Sequence, residues 1–151
     1  MVAKLEASRV WPKIWVGSAP AEHAYFGGFS LIALCAVEYQ PTLDHFPGKV
    51  VRPAFRDTSE PLLKEELARV AEAANAVADE VSQGGRCLVT CMAGLNRSAL
   101  VAALAIKQLS NLSADQIIAT IRANRKPYPY LGETALYNPQ FIDILRRARP
   151  Q

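Results

Sequence analysis

Arg86-Cys-Leu-Val-Thr90, then Cys91-Met92-Ala93-Gly94-Leu95-Asn96-Arg97-Ser98, then Ala99-Leu-Val-Ala-Ala-Leu-Ala-Ile106 is the stretch that decides the architecture. The first five residues follow the Gly84-Gly85 breaker and read as a short strand. The last eight are apolar on every side, which predicts a helix buried in a core. Between them lies a turn that opens a helix. The order is therefore strand, loop, buried helix.

Working upstream, residues 62–82 carry Leu63, Leu67, Val70, Ala74, Val77 and Val81 at alternating spacings of four and three, which predicts a long amphipathic helix using those residues as its inner face. Pro61 suits its first turn, and Gly84 with Gly85 suits its end. Before it, residues 13–17, 30–37 and 49–55 read as three strands bounded by Gly, Pro or Asp. A long helix between the third and fourth strands predicts a crossover. Downstream, Ser113 with Gln116 forms a capping-box pattern, and Asn138 followed by Pro139 reads as a cap with proline at the first helical position. Strands early and helices late give an α/β fold: a mostly parallel central sheet flanked by helices, in one domain spanning residues 1–151.

The composition places limits on function. Half the 151 residues are hydrophobic and 21% are charged, as in a soluble globular chain. The net charge of +3 suits an anionic substrate without implying nucleic acid. Arg146, Arg147 and Arg149 form the densest basic run and close the last predicted helix, where cations meet the negative end of its dipole. Three irregularly spaced cysteines fit a reducing cytosol better than a disulfide framework. The first ten residues lack a signal-peptide core, and the eight-residue apolar run is far short of a membrane span. The expected location is cytoplasmic, with no membrane association.

The loop itself carries chemistry. A strand-to-helix turn can aim successive backbone N–H groups at an anion, with the helix dipole behind them. Gly94 permits backbone angles closed to other residues. Five residues separate Cys91 from Arg97, whose guanidinium can grip two oxygens of a phosphate at once. The same field favours thiolate over thiol at Cys91 and so makes it a nucleophile. The hydroxyl of Ser98 is placed to donate to the sulfur as an intermediate breaks down.

Taken together, Cys91-Met92-Ala93-Gly94-Leu95-Asn96-Arg97-Ser98 resembles the C-x5-R-S signature of protein tyrosine phosphatases, in the C-x-A-G-x-x-R-S form of the dual-specificity type. The segment 13–17 and the segment 121–141, with Arg125, Pro127 and Asn138, fall where that family has similar elements. The resemblance implies that Cys91, Arg97, Asp57 and Ser98 are catalytic, and that Met92 to Arg97 bind phosphate. It implies a phosphocysteine intermediate, no metal and no organic cofactor. Asp57, in Phe55-Arg56-Asp57-Thr58-Ser59-Glu60-Pro61, matches the family's general acid, with Glu60 in reserve; the bland alternative is that Asp57 starts a turn or caps the long helix. The partners implied are a phosphorylated protein or peptide, carrying phosphotyrosine and extending to phosphoserine and phosphothreonine, and phosphate or another oxyanion in the loop. One position departs from the pattern: Thr90 stands where the family usually has histidine, and it is expected to hydrogen-bond into the loop instead.

Rival readings differ in class. Gly94-Leu95-Asn96-Arg97 also resembles the G-x-N-R portion of RNA triphosphatases, but Met92, Ala93 and Leu95 bring no charge for a polyphosphate. A phosphate-binding pseudophosphatase is the non-enzyme alternative. Low-molecular-weight phosphatases place the loop near the N-terminus, and rhodanese-type enzymes have a loop of different length and ending. Cys35 and Cys87 read as core residues, the sharper alternative being a reversible disulfide with oxidised Cys91. Tyr128 and Tyr130 read as a self-packed surface loop, with a substrate wall as the alternative; His23 and His45 have no local support as catalytic bases.

Overall fold

The computed structural model describes residues 5–22, 24–43, 45–125 and 134–149. His23, Pro127, Tyr128 and Tyr130 lie outside them. Five strands, β1 Ala7–Trp11, β2 Ile14–Gly17, β3 Leu31–Leu34, β4 Lys49–Val51 and β5 Cys87–Thr90, form one sheet in the order β1-β2-β5-β3-β4. Only the β1–β2 pairing is antiparallel. The helices are α1 Lys64–Ser82, α2 Arg97–Leu109, α3 Ala114–Asn124 and α4 Pro139–Arg147.

Strand β5 lies in the middle of the sheet, Thr90 pairing with Gly17 of β2 on one side and Leu34 of β3 on the other. Three parallel strands thus end side by side where Cys91 begins. In open α/β sheets the crevice beyond the carboxyl ends of strands is where ligands bind, because connections part there to opposite sides. The chain leaves β2 and returns as β3 across β5, so this is such a point.

Side chains of a strand alternate between faces, and β3 shows this directly. Leu31 and Ala33 join the helices' cluster, with Val70, Val77, Leu100, Ile106, Ile117 and Phe141, while Ile32 and Leu34 join Leu88 on the opposite face. That second face is covered by aromatic residues of the connecting segments: Trp15 meets Phe29 edge-on at 5.5 Å and Phe26 meets Phe46 at 5.9 Å. Arg86 stacks over Trp15 at 4.5 Å. Helix α2 runs through the other core against α1, α3 and α4, its residues from Arg97 to Ala103 all buried.

Several boundaries differ from the sequence reading. Strand β4 stops at Val51 because Pro53 offers no N–H to the ladder, and Phe55 keeps only an isolated bridge to Ala36. Strand β3 is likewise shorter than residues 30–37. Helix α1 begins after Leu63, so Pro61 lies ahead of its first turn. Its inner face is Val70, Ala73, Ala74, Val77 and Ala78, whereas Leu63 and Leu67 are exposed. Strand β1 was not anticipated. It is an edge strand whose only buried residue is Val10, so its sequence shows little apolar alternation.

Glu66 ties α1 to the segment before it. Its carboxylate accepts from Arg56 Nη2 at 2.6 Å, from Arg56 N at 3.0 Å and from Leu63 N at 2.9 Å. The Arg56 guanidinium is the main cause that holds Glu66 down to about 2. Folding lowers this pKa, so the stabilisation is complete above the unfolded value of about 4.3 and is lost as pH falls toward the folded one. Discounted for half-exposed Arg56, it is worth about 1–2 kcal/mol. Denaturant melts of wild type and Glu66→Gln are expected to differ by that amount at neutral pH and to converge between about pH 4 and pH 2. A gap that stays constant over that range would remove the charge from the explanation.

Candidate active site

Arg125 is a fully buried cation behind the loop, its side chain paired with Glu6. Its Nε donates to the Gly94 carbonyl at 2.9 Å, and its Nη2 to the Ala93 carbonyl at 3.3 Å. The Met92 carbonyl accepts from Ala19 N at 3.0 Å and the Leu95 carbonyl from Leu136 N at 2.6 Å. Four successive loop carbonyls are therefore turned outward and satisfied. Across a planar trans peptide, the N–H of the next residue points the opposite way from the C=O. The amides of Ala93, Gly94, Leu95 and Asn96 accordingly face inward, and among the described residues none donates to a protein acceptor. Inward amides in this arrangement at the N-terminus of a helix have the geometry of a nest.

Gly94 is required twice over. Its φ is +71°, and a Cβ there would lie 2.5 Å from Arg125 Nη2 and 2.6 Å from the Gly17 carbonyl carbon. The Arg125 clamp thus leaves no room for a side chain at the point where the loop turns.

Cys91 is buried, and its Sγ lies 3.2 Å from the Ser98 Oγ, itself fully buried on α2. Arg97 is also buried. Its Nη1 and Nη2 form a fork on the Glu38 carboxylate at 2.5 and 2.7 Å, and Nη1 also donates to the Phe55 carbonyl at 3.2 Å. Arg97 Nε has no partner among the described residues although it is buried. Glu38 is half exposed and its carboxyl is held below the usual range, chiefly by the hydrogen bond from Arg97. Glu38 was missed from sequence, although a buried arginine demands an anion and Glu38 follows closely on the end of β3.

Asp57 does not cap α1, whose cap position is Leu63. Its Oδ2 accepts from Asn96 Nδ2 at 3.1 Å and its Oδ1 from Asn138 Nδ2 at 2.7 Å. The side chain of Asn96 therefore serves Asp57, while its backbone serves the nest. Glu60, the reserve candidate, makes its bond through its backbone N to the Thr58 hydroxyl.

Thr90 departs from expectation. Its hydroxyl donates to the Ala33 carbonyl on β3 at 3.3 Å, because residue 90 is still within the sheet, and does not enter the loop. Cys35 and Cys87 are buried and free, as Cys91 is. Burial pushes the Cys35 thiol well up and the nearby Cys91 adds to this, whereas burial takes Cys87 up to about 12. His45 lies along a cleft of about 700 Å³ with Phe26 and Phe46, which pack on the sheet face opposite the helices.

No protein-family model matches the chain, and no curated protein matches it by sequence. Solved structures do. Human DUSP28 superimposes with a TM-score of 0.73 at 26% identity, covering 93% of this chain and 90% of that one. A mouse putative dual-specificity phosphatase, complexed with zinc tungstate, gives 0.75 at 23% identity, covering 97% and 88%. Human tyrosine phosphatase-like serine/threonine/tyrosine-interacting protein gives 0.71 at 16% identity, covering 93% of each chain. The chain has the fold of the dual-specificity phosphatases. Within the protein tyrosine phosphatase superfamily, its structural likeness is to that type.

Proposed function

We propose that this protein is a cysteine-dependent phosphatase acting on phosphate monoesters, with phosphotyrosine in proteins as the favoured substrate. The observation that carries the reading is the inward amide nest closed at one end by Cys91 and at the other by buried Arg97, whose Nε has no partner among the described residues. In this reading the nest and Arg97 hold three phosphate oxygens, and the Cys91 thiolate attacks phosphorus in line with the leaving oxygen. Asp57 gives that oxygen its proton. Water then cleaves the phosphocysteine bond, Asp57 taking a proton from it while Ser98 donates to the departing sulfur.

The surroundings of the loop favour a monoester over a polyphosphate. Val37, Met92 and Tyr137, adjoining Glu38, Cys91 and Asn138 in the chain, are exposed and uncharged. Glu38 adds a negative charge beside Arg97. No described helix is long and apolar enough to cross a membrane.

The test is hydrolysis of phenyl phosphate and of a phosphotyrosine peptide in reducing buffer containing a chelator. Wild type is expected to turn over both. Asp57→Asn is expected to lower kcat on phenyl phosphate about a hundredfold, and Ser98→Ala to slow decay of the intermediate, not its formation, in single-turnover kinetics. No turnover by wild type would leave a phosphate-binding protein as the better reading. Normal decay in Ser98→Ala would remove the role of that hydroxyl.

A further inference from the structure

We infer that Asn138, the capping residue of α4, is also a positioning residue that aims Asp57 at the leaving group; the inference rests on the phosphatase reading above. The side-chain amide of Asn138 is divided between two tasks. Its Oδ1 accepts from Gln140 N at 2.9 Å, which is the helix cap. Its Nδ2 donates to Asp57 Oδ1 at 2.7 Å and to the Thr58 carbonyl at 3.0 Å. A cap needs only the oxygen. Serine, threonine or aspartate serves that purpose as well as asparagine, so capping does not require the NH2 group that reaches Asp57.

The second contact to Asp57 comes from the loop itself. Asn96 donates to Asp57 Oδ2 at 3.1 Å, and its Oδ1 accepts from the backbone N of Tyr137 and of Asn138, at 2.9 and 3.0 Å. Asp57, the loop residue before Arg97 and the start of α4 thus form a closed ring of hydrogen bonds across three chain segments. Phe55 packs against Phe141 at 5.8 Å and holds the same two segments together beneath the ring. An exposed loop carboxylate otherwise keeps its rotamer freedom. Pinned at both oxygens, Asp57 keeps one orientation relative to Cys91, and each oxygen retains a further lone pair for the proton it transfers.

The test compares Asn138→Ser with wild type on two substrates. Phenyl phosphate has a poor leaving group that needs the proton; 2,4-dinitrophenyl phosphate has a good one that does not. Asn138→Ser keeps the cap oxygen and loses the NH2 group that reaches Asp57. The expected result is a fall in kcat of about tenfold or more on phenyl phosphate, less than about twofold on the dinitrophenyl ester, and unchanged KM for both. In an Asp57→Asn background the same substitution is expected to add nothing on phenyl phosphate, since residues that act through one another are not additive. Asn138→Asp, which retains a strong cap and sets a carboxylate against Asp57, is expected to show the same split with a larger loss. Equal losses on the two esters, or losses that add to those of Asp57→Asn, would reduce Asn138 to a helix cap and overturn the inference while leaving the phosphatase reading intact. Failure of wild type to hydrolyse either ester would overturn both.

Discussion

Cys91→Ser is expected to lower phenyl phosphate hydrolysis by at least about 10⁴-fold while leaving inorganic phosphate bound within about threefold of wild type. The two halves rest on different atoms. The nest is built from backbone groups whose carbonyls are held by Ala19, Arg125 and Leu136, and none of these contacts involves the sulfur. The backbone N of Cys91 donates to the Gly17 carbonyl at 3.3 Å, a bond serine makes equally well. Binding therefore survives. Chemistry does not, because a serine hydroxyl attacks only when a base removes its proton, and the side chain hydrogen-bonded to the position is another hydroxyl, that of Ser98 at 3.2 Å. Titration calorimetry with phosphate and steady-state kinetics on the same preparation check both halves. Hydrolysis retained within tenfold would show that Cys91 is not the nucleophile. Lost binding would show that the sulfur shapes the nest.

The strand–turn–helix geometry of the candidate site was legible in the sequence because it is local. A strand, a turn with Gly94 in it and a wholly apolar helix lie consecutively, and each has its own short-range signature. Asn138 and Pro139, Ser113 and Gln116 were readable for the same reason, since a cap involves residues only a few positions apart. What was not legible depends on long-range contact between groups with no individual signature. Glu38 reaches Arg97 across 59 positions. The Arg125 clamp joins residues 31 and more positions apart, and Glu6 lies immediately before the edge strand that was itself missed.

Thr90 is a case where the local reading was incomplete in another way. Its place in the strand was read correctly, but the hydroxyl expected to turn into the loop is used within the sheet, on the Ala33 carbonyl of the neighbouring strand. The inner face of α1 was read only in part: Val70, Ala74 and Val77 lie on it, while Leu63 and Leu67 do not. A spacing of four and three fits more than one stripe, and the alanines at 73 and 78 carry too little hydrophobicity to mark the true one, although small residues are what close approach to α2 requires.

Arg97→Lys is expected to lower kcat/KM for phenyl phosphate by about a thousandfold, roughly 4 kcal/mol of transition-state stabilisation, with the net charge of the site unchanged. The size of the effect follows from how the guanidinium is shared. Nη1 and Nη2 are engaged with the two oxygens of Glu38, which fixes the plane of the group and leaves Nε and a remaining Nη2 hydrogen for phosphate oxygens. A planar fork can serve two anions at once. A lysine ammonium is a compact point charge on a shorter stem, and in bonding to Glu38 it is drawn away from the phosphate. Glu38→Gln, which removes the charge and keeps one acceptor, is expected to cost less, about tenfold, because Arg97 keeps the Phe55 carbonyl as a second support. The order of the two losses is the informative quantity. If Arg97→Lys were no worse than Glu38→Gln, positive charge alone would suffice at this position, and the shared geometry of the guanidinium would not be what holds the equatorial oxygens in the transition state.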